Sequence, residues 1–115
     1  MRVLVVDDDT SIRLLLQAAL EDEGYAVEAA ANGREALDAI LRDAPDLMLL
    51  DMAMPRMSGD ELLSVLHERH VKVPAIVISA QQAAPRDGCI AAVGRKPFDL
   101  VELIDTVSRV GARAG

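Results

Sequence analysis

Short runs of unbroken apolar residues alternate along this chain with longer stretches in which apolar residues recur every three or four positions. No other feature constrains the fold as much. "RVLVV" (2–6) reads as a strand apolar on both faces, which must be covered on both sides. From Thr10 to about Glu23, Ile12, Leu15, Leu16, Ala19 and Leu20 keep helical spacing, and Gly24 ends the helix. Tyr25 to Ala30 is a second strand. "NGREALDAILRD" follows as a helix with Ala36, Leu37, Ile40 and Leu41 on one face. "PDLMLLD" is a third strand, ending in an acid. "SGDELLSVLHERH" is a helix with Leu62, Leu63, Val65 and Leu66 inward, and "PAIVISA" is a fourth strand. "FDLVELIDTVSRV" closes the chain as an amphipathic helix, with Asp99 and Glu102 spaced as a capping box. Strands alternating with helices imply βαβ crossovers, hence an α/β domain built on a parallel sheet with helices on both faces.

The stretch "QQAAPRDGCIAAVGRKP" breaks this rhythm. Pro85 and Gly88 leave no run long enough for a full helix, and a fifth strand falls around Ile90 to Val93. One domain accounts for all 115 residues. With 51% hydrophobic but only 2% aromatic residues, the core must be built from Leu, Val, Ile, Ala and Met. A net charge of −7 argues against partners rich in phosphate, so neither nucleic acid nor an anionic membrane surface is expected. The single cysteine, Cys89, allows no internal disulfide. With no signal-peptide pattern and no apolar run of membrane-spanning length, a soluble cytoplasmic domain is the expectation.

In an open parallel sheet, functional side chains gather at the carboxyl ends of the strands. The first strand ends in Asp7-Asp8, the third in Asp51 and the fourth in Ser79, and the fifth runs into Lys96. Three carboxylates at one edge repel one another unless a cation joins them. Oxygen ligands on rigid strand ends suit Mg²⁺. Three aspartates, one Mg²⁺ and one lysine sum to neutrality, so the site can accept a phosphoryl group, and a carboxylate can be the nucleophile that receives it.

The motifs "VVDDD", "LLDMAMPRMSG", "ISA" and "GRKPF", in this order, resemble the receiver domain of two-component response regulators, over about Arg2 to Val110. The resemblance implies a doubly wound, flavodoxin-like sheet of five parallel strands in the order 2-1-3-4-5. Asp51 would be the phosphoacceptor. Asp8 would coordinate Mg²⁺ directly and Asp7 directly or through water, with the backbone carbonyl of Ala53 as a further ligand. The Ser79 hydroxyl would bind a phosphoryl oxygen, and Lys96 would pair with the phosphoryl group and with Asp51. Pro55 and Gly59 would shape the loop after Asp51, and Lys96–Pro97 would be a cis peptide. The donor would be a sensor histidine kinase or a phosphotransfer protein, reached through the helix carrying Ile12 to Leu20. The implied role is a phosphoacceptor switch that promotes its own phosphorylation and dephosphorylation, not an enzyme acting on a separate substrate.

The chain departs from the family twice. Val93 stands where an aromatic ring usually reorients on phosphorylation, and the stretch from Ser79 to Lys96 is several residues short, so the fourth helix is expected to be shortened or missing. An atypical output face follows. A pseudo-receiver that signals by partner contact alone is the competing function. A Mg²⁺-dependent phosphatase would need a cap that 115 residues do not supply. A flavin-binding relative is disfavoured by the acids at 7–9. Asp9 reads better as a helix cap than as a ligand. His67 and His70 are three apart, not the four of a zinc-protease helix. Met48, Met52, Met54 and Met57 read as loop and core packing.

Overall fold

The structure, a computed structural model, describes residues 1–52, 57–79, 90–95 and 100–114. Strands and helices alternate through them: β1 (Arg2–Val6), α1 (Thr10–Asp22), β2 (Ala26–Ala30), α2 (Gly33–Arg42), β3 (Leu47–Asp51), α3 (Gly59–Glu68), β4 (Ala75–Ser79), β5 (Ile90–Arg95) and α4 (Leu100–Ala114). All strand pairings are parallel, and the order across the sheet is β2-β1-β3-β4-β5. The doubly wound α/β architecture expected from the sequence is therefore present.

The apolar strands divide their side chains between two cores by the two-residue pleat. Val3, Val5, Leu47, Leu49, Ile76 and Ile78 face α1 and α4, meeting Leu16, Leu20, Leu103 and Val107. Leu4, Val6, Met48, Leu50, Ala75 and Val77 face α2 and α3, meeting Leu37, Ile40, Leu62 and Leu66. Each such large side chain contributes about 1.5–3 kcal/mol on burial. β3, at the centre, is buried along its whole length, whereas β2, at an edge, is buried fully only at Ala30.

Two expected core positions lie outside it. Leu15 is 51% exposed and Leu41 47% exposed. On α1 the inward stripe runs through Ile12, Leu16 and Leu20, four residues apart, and Leu15 sits one position off it. On α2 the stripe is Ala36, Leu37 and Ile40, and Leu41 lies about 40° beyond Leu37, just past its edge.

The helix starts are closed by side chains. Asn32 Oδ1 accepts from Glu35 N at 2.9 Å, and Glu35 Oε1 accepts in turn from Ala31 N at 3.3 Å. Ser58 Oγ accepts from Glu61 N at 3.3 Å. Both are variants of the capping box. α1 ends through Gly24 at φ 95°, and α3 through His70 at φ 57°, a left-handed conformation unusual for a residue with a Cβ. His67 and His70 are both exposed at that helix end. β5 extends to Arg95, two residues past the expectation, with a register shift opposite Ala75 and Ile76. The irregular stretch 80–89, with Cys89, lies outside the described residues, as do Met54, Pro55 and Asp99.

Candidate functional site

Register places the acids. Val6 pairs with Leu50 across β1 and β3, so Asp7 and Asp51, each one residue further on, reach the same level of the sheet. β1 lies between β2 and β3, which is where the winding of the sheet reverses and where crevices form in such folds. Asp7 is 1% exposed and Asp51 3% exposed, while Asp8 faces solvent. Each of the three offers one carboxylate oxygen, and these oxygens lie within 4.8 Å of one another.

The turn after β1 is braced from several sides. Asp7 N donates to the Ala30 carbonyl at 3.2 Å, and Asp7 Oδ1 accepts from Asp9 N at 2.9 Å. Asp9 is the N-cap of α1, its Oδ1 accepting from Ile12 N at 3.1 Å. Arg13 Nη1, one turn into that helix, donates to the Asp7 carbonyl at 2.8 Å. The three consecutive aspartates thus have different work. Asp7 and Asp8 supply carboxylate oxygens to the crevice, and Asp9 closes the helix. Sequence inspection missed Arg13; its place four residues after the cap residue is the signal that would have pointed to it.

The exit from β3 is equally constrained. Asp51 still pairs with Ile78, and Met52 N donates to the Ile78 carbonyl at 3.2 Å. Gly59 N donates to the Met52 carbonyl at 3.1 Å, which brings the start of α3 back over the end of β3. A Cβ on Gly59 would lie 2.8 Å from Met52 Cα and 3.0 Å from the Asp51 carbonyl oxygen, so this approach requires glycine. Ser79 ends β4, opposite Arg95 of β5, and is described by its backbone alone. Ala53 and Lys96, with the Lys96–Pro97 bond, lie outside the described residues.

Two buried carboxylates with oxygens under 4.8 Å apart repel by on the order of 3 kcal/mol at an effective dielectric constant of about 20. A cation between them reverses the sign of that interaction. The donors are oxygens only, on rigid strand ends, which is the chemistry a small hard divalent ion requires.

The family model described as "Response regulator receiver domain" matches residues 3–108. Sporulation initiation phosphotransferase F of Bacillus subtilis is 36% identical over 114 residues, covering 94% of this chain and 91% of its own. The receiver domain of the Francisella response regulator 1452 superposes with a TM-score of 0.91 at 29% identity, over 99% of this chain and 98% of that one. The response regulator TrrA of Thermotoga maritima, solved in complex with Mg²⁺ and BeF, superposes with a TM-score of 0.82 at 33% identity, over 95% and 97% of the two chains. Against the MprA response regulator of Mycolicibacterium vanbaalenii, 39% identical over 109 residues, the match spans 90% of this chain but only about half (47%) of the relative. Among the described residues no helix is long and apolar enough to cross a membrane. With the crevice acids, the sheet order and a family match over nearly the whole length in agreement, this chain belongs to the receiver domains of two-component response regulators.

Proposed function

We propose that Asp51 is the phosphoacceptor of a two-component relay and that its phosphorylation is a reversible, Mg²⁺-dependent mark. The observation that carries this reading is the meeting of Asp7, Asp8 and Asp51 within 4.8 Å at the crevice where the sheet winding reverses. Asp51 is buried at the end of a fully buried strand, so its carboxylate is held in one place for in-line attack. An Asp51 oxygen bonds to phosphorus as the bond from phosphorus to a donor imidazole nitrogen breaks, and the imidazole keeps the electron pair. Water later attacks the acyl phosphate, releasing inorganic phosphate and restoring the carboxylate. Mg²⁺, when bound, supplies positive charge for the phosphoryl oxygens. Asp7, Asp8 and Asp51 would hold it, with the Ala53 carbonyl as a further ligand. The Ser79 hydroxyl and the Lys96 ammonium complete the set as phosphoryl-oxygen partners. The solved TrrA complex with Mg²⁺ and BeF, an analogue of a phosphoryl group, supports the same chemistry for a relative at 33% identity.

The donor in this reading is a sensor histidine kinase or a phosphotransfer protein, which implies a cytoplasmic role. The output face is atypical: ten residues separate Ser79 from Ile90, fewer than the dozen or more a parallel crossover usually takes. Val93 adds to this, having no ring to reorient.

The test is incubation with Mg²⁺ and acetyl phosphate, followed by intact mass. A phosphorylated species is expected in the wild type and absent in Asp51→Asn or in excess EDTA. A wild type that takes up no phosphoryl group would sink the acceptor reading in favour of a contact-only module.

A further inference from the structure

The chain leaving Asp51 is held at two points by the starts of two different helices. Gly59, first in α3, donates to the Met52 carbonyl at 3.1 Å, and Gly33, first in α2, donates to the Met57 carbonyl at 3.2 Å. Both N–H groups belong to the first turn of a helix, where donors have no acceptor within the helix itself. Gly33 tolerates no side chain here. A Cβ on it would lie 2.8 Å from both Cβ and Cγ of Met57, and closer still to the Met57 carbonyl oxygen. Its φ is not in the left-handed region, so close approach and not backbone conformation demands glycine.

The start of α2 is itself rigid. Asn32 is buried, its Oδ1 accepts from Glu35 N at 2.9 Å, and its Nδ2 donates to Glu35 Oε2 at 3.2 Å. The Gly33 N–H is therefore presented from a locked turn. Met57 lies two residues before Gly59, whose backbone rests on Met52 and the Asp51 carbonyl. A push at Met57 is thus passed to the acceptor's own backbone.

We infer that Gly33 is a positioning residue for the phosphoacceptor: from 18 residues away in sequence, the start of α2 fixes Met57 beside the start of α3, which closes on Met52 and Asp51. The inference rests on the acceptor reading above. Restoring ordinary contact of 3.4 Å from 2.8 Å requires the Met57 side chain to move by about 0.6 Å after Gly33→Ala, and the closer Met57 carbonyl oxygen must move further. A misplacement of about 1 Å can cost on the order of a hundredfold in rate, so a loss of roughly tenfold is expected here.

The experiment compares the wild type, Gly33→Ala, Asn32→Ala and Gly111→Ala. Phosphorylation by saturating acetyl phosphate in Mg²⁺ is timed by intact mass at a temperature where circular dichroism shows each variant folded. Gly111 is the control for a crowded glycine, because a Cβ there meets only the flexible Met1 Sδ and Cε. Gly33→Ala is expected to slow phosphorylation about tenfold, Asn32→Ala a few-fold by loosening the turn, and Gly111→Ala not at all. The ¹H–¹⁵N signals of Asp51 and Met52 should shift in Gly33→Ala and stay in place in Gly111→Ala, a response that lost stability alone would not give. Should Gly33→Ala fail to fold, Asn32→Ala decides. Wild-type rates in the variants, or unmoved Asp51 and Met52 signals, overturn the inference while leaving the acceptor reading intact. A wild type that is never phosphorylated overturns both.

Discussion

Dividing Asp8 from Asp9 gives the sharpest test of how the acidic turn works. The perturbations are Asp8→Ala and Asp9→Ala, each read by thermal unfolding with and without Mg²⁺. Asp9 caps α1 through Ile12 N, and that helix has no acidic residue in its first turn to share the task. Loss of such a cap costs about 1 kcal/mol. Unfolding entropy near 2.1 cal/mol/K per residue gives about 0.24 kcal/mol/K for 115 residues, so the midpoint should fall by about 4 °C. The bond from Asp9 N to Asp7 Oδ1 uses backbone and survives the substitution. Mg²⁺ at a hundred times its dissociation constant should therefore still add about 2.7 kcal/mol to Asp9→Ala, as to the wild type. Asp8→Ala reverses the pattern. Asp8 is exposed and caps nothing, so the metal-free midpoint should hold or rise as a like charge leaves the crevice, and most of the Mg²⁺ increment should vanish. Equal loss of that increment in both variants would refute the division of labour, as would an unchanged metal-free midpoint in Asp9→Ala.

Other expectations follow from the packing and the helix ends. Leu50→Ala, in the buried central strand, should cost about 2–5 kcal/mol by chemical denaturation. Leu41→Gln, on an exposed position of α2, should change stability by less than about 0.5 kcal/mol; a core-sized loss would mean that Leu41 is buried after all. His70→Gly should stabilise the domain by about 1 kcal/mol, because His70 ends α3 at φ 57°, where a Cβ is strained. A destabilised His70→Gly would show that the side chain does more than tolerate its conformation.

Much of this fold was legible in the residue pattern because the signals are local. "VLVV" and "LMLL" are apolar without alternation, which only a strand covered on both faces requires. The helices carry three- and four-residue spacing and recognisable cap residues, and strand ends in a parallel sheet point one way, so Asp7, Asp8 and Asp51 could be brought together on paper. Leu15 and Leu41 were misjudged because a stripe defined by hydrophobicity has soft edges. Which of two adjacent leucines turns inward depends on where the helix meets the sheet.

By itself, then, the sequence determined the alternation of elements, the doubly covered sheet, the acidic edge and its family likeness, since periodicity and motif spacing are properties of neighbouring residues. Tertiary structure alone decided that Gly59 lies against the backbone of Asp51. It alone placed Gly33, at the start of a different helix, against Met57. Those contacts join segments whose separation is set by packing, and no spacing of residues along the chain encodes a distance that two helices and a sheet must settle between them.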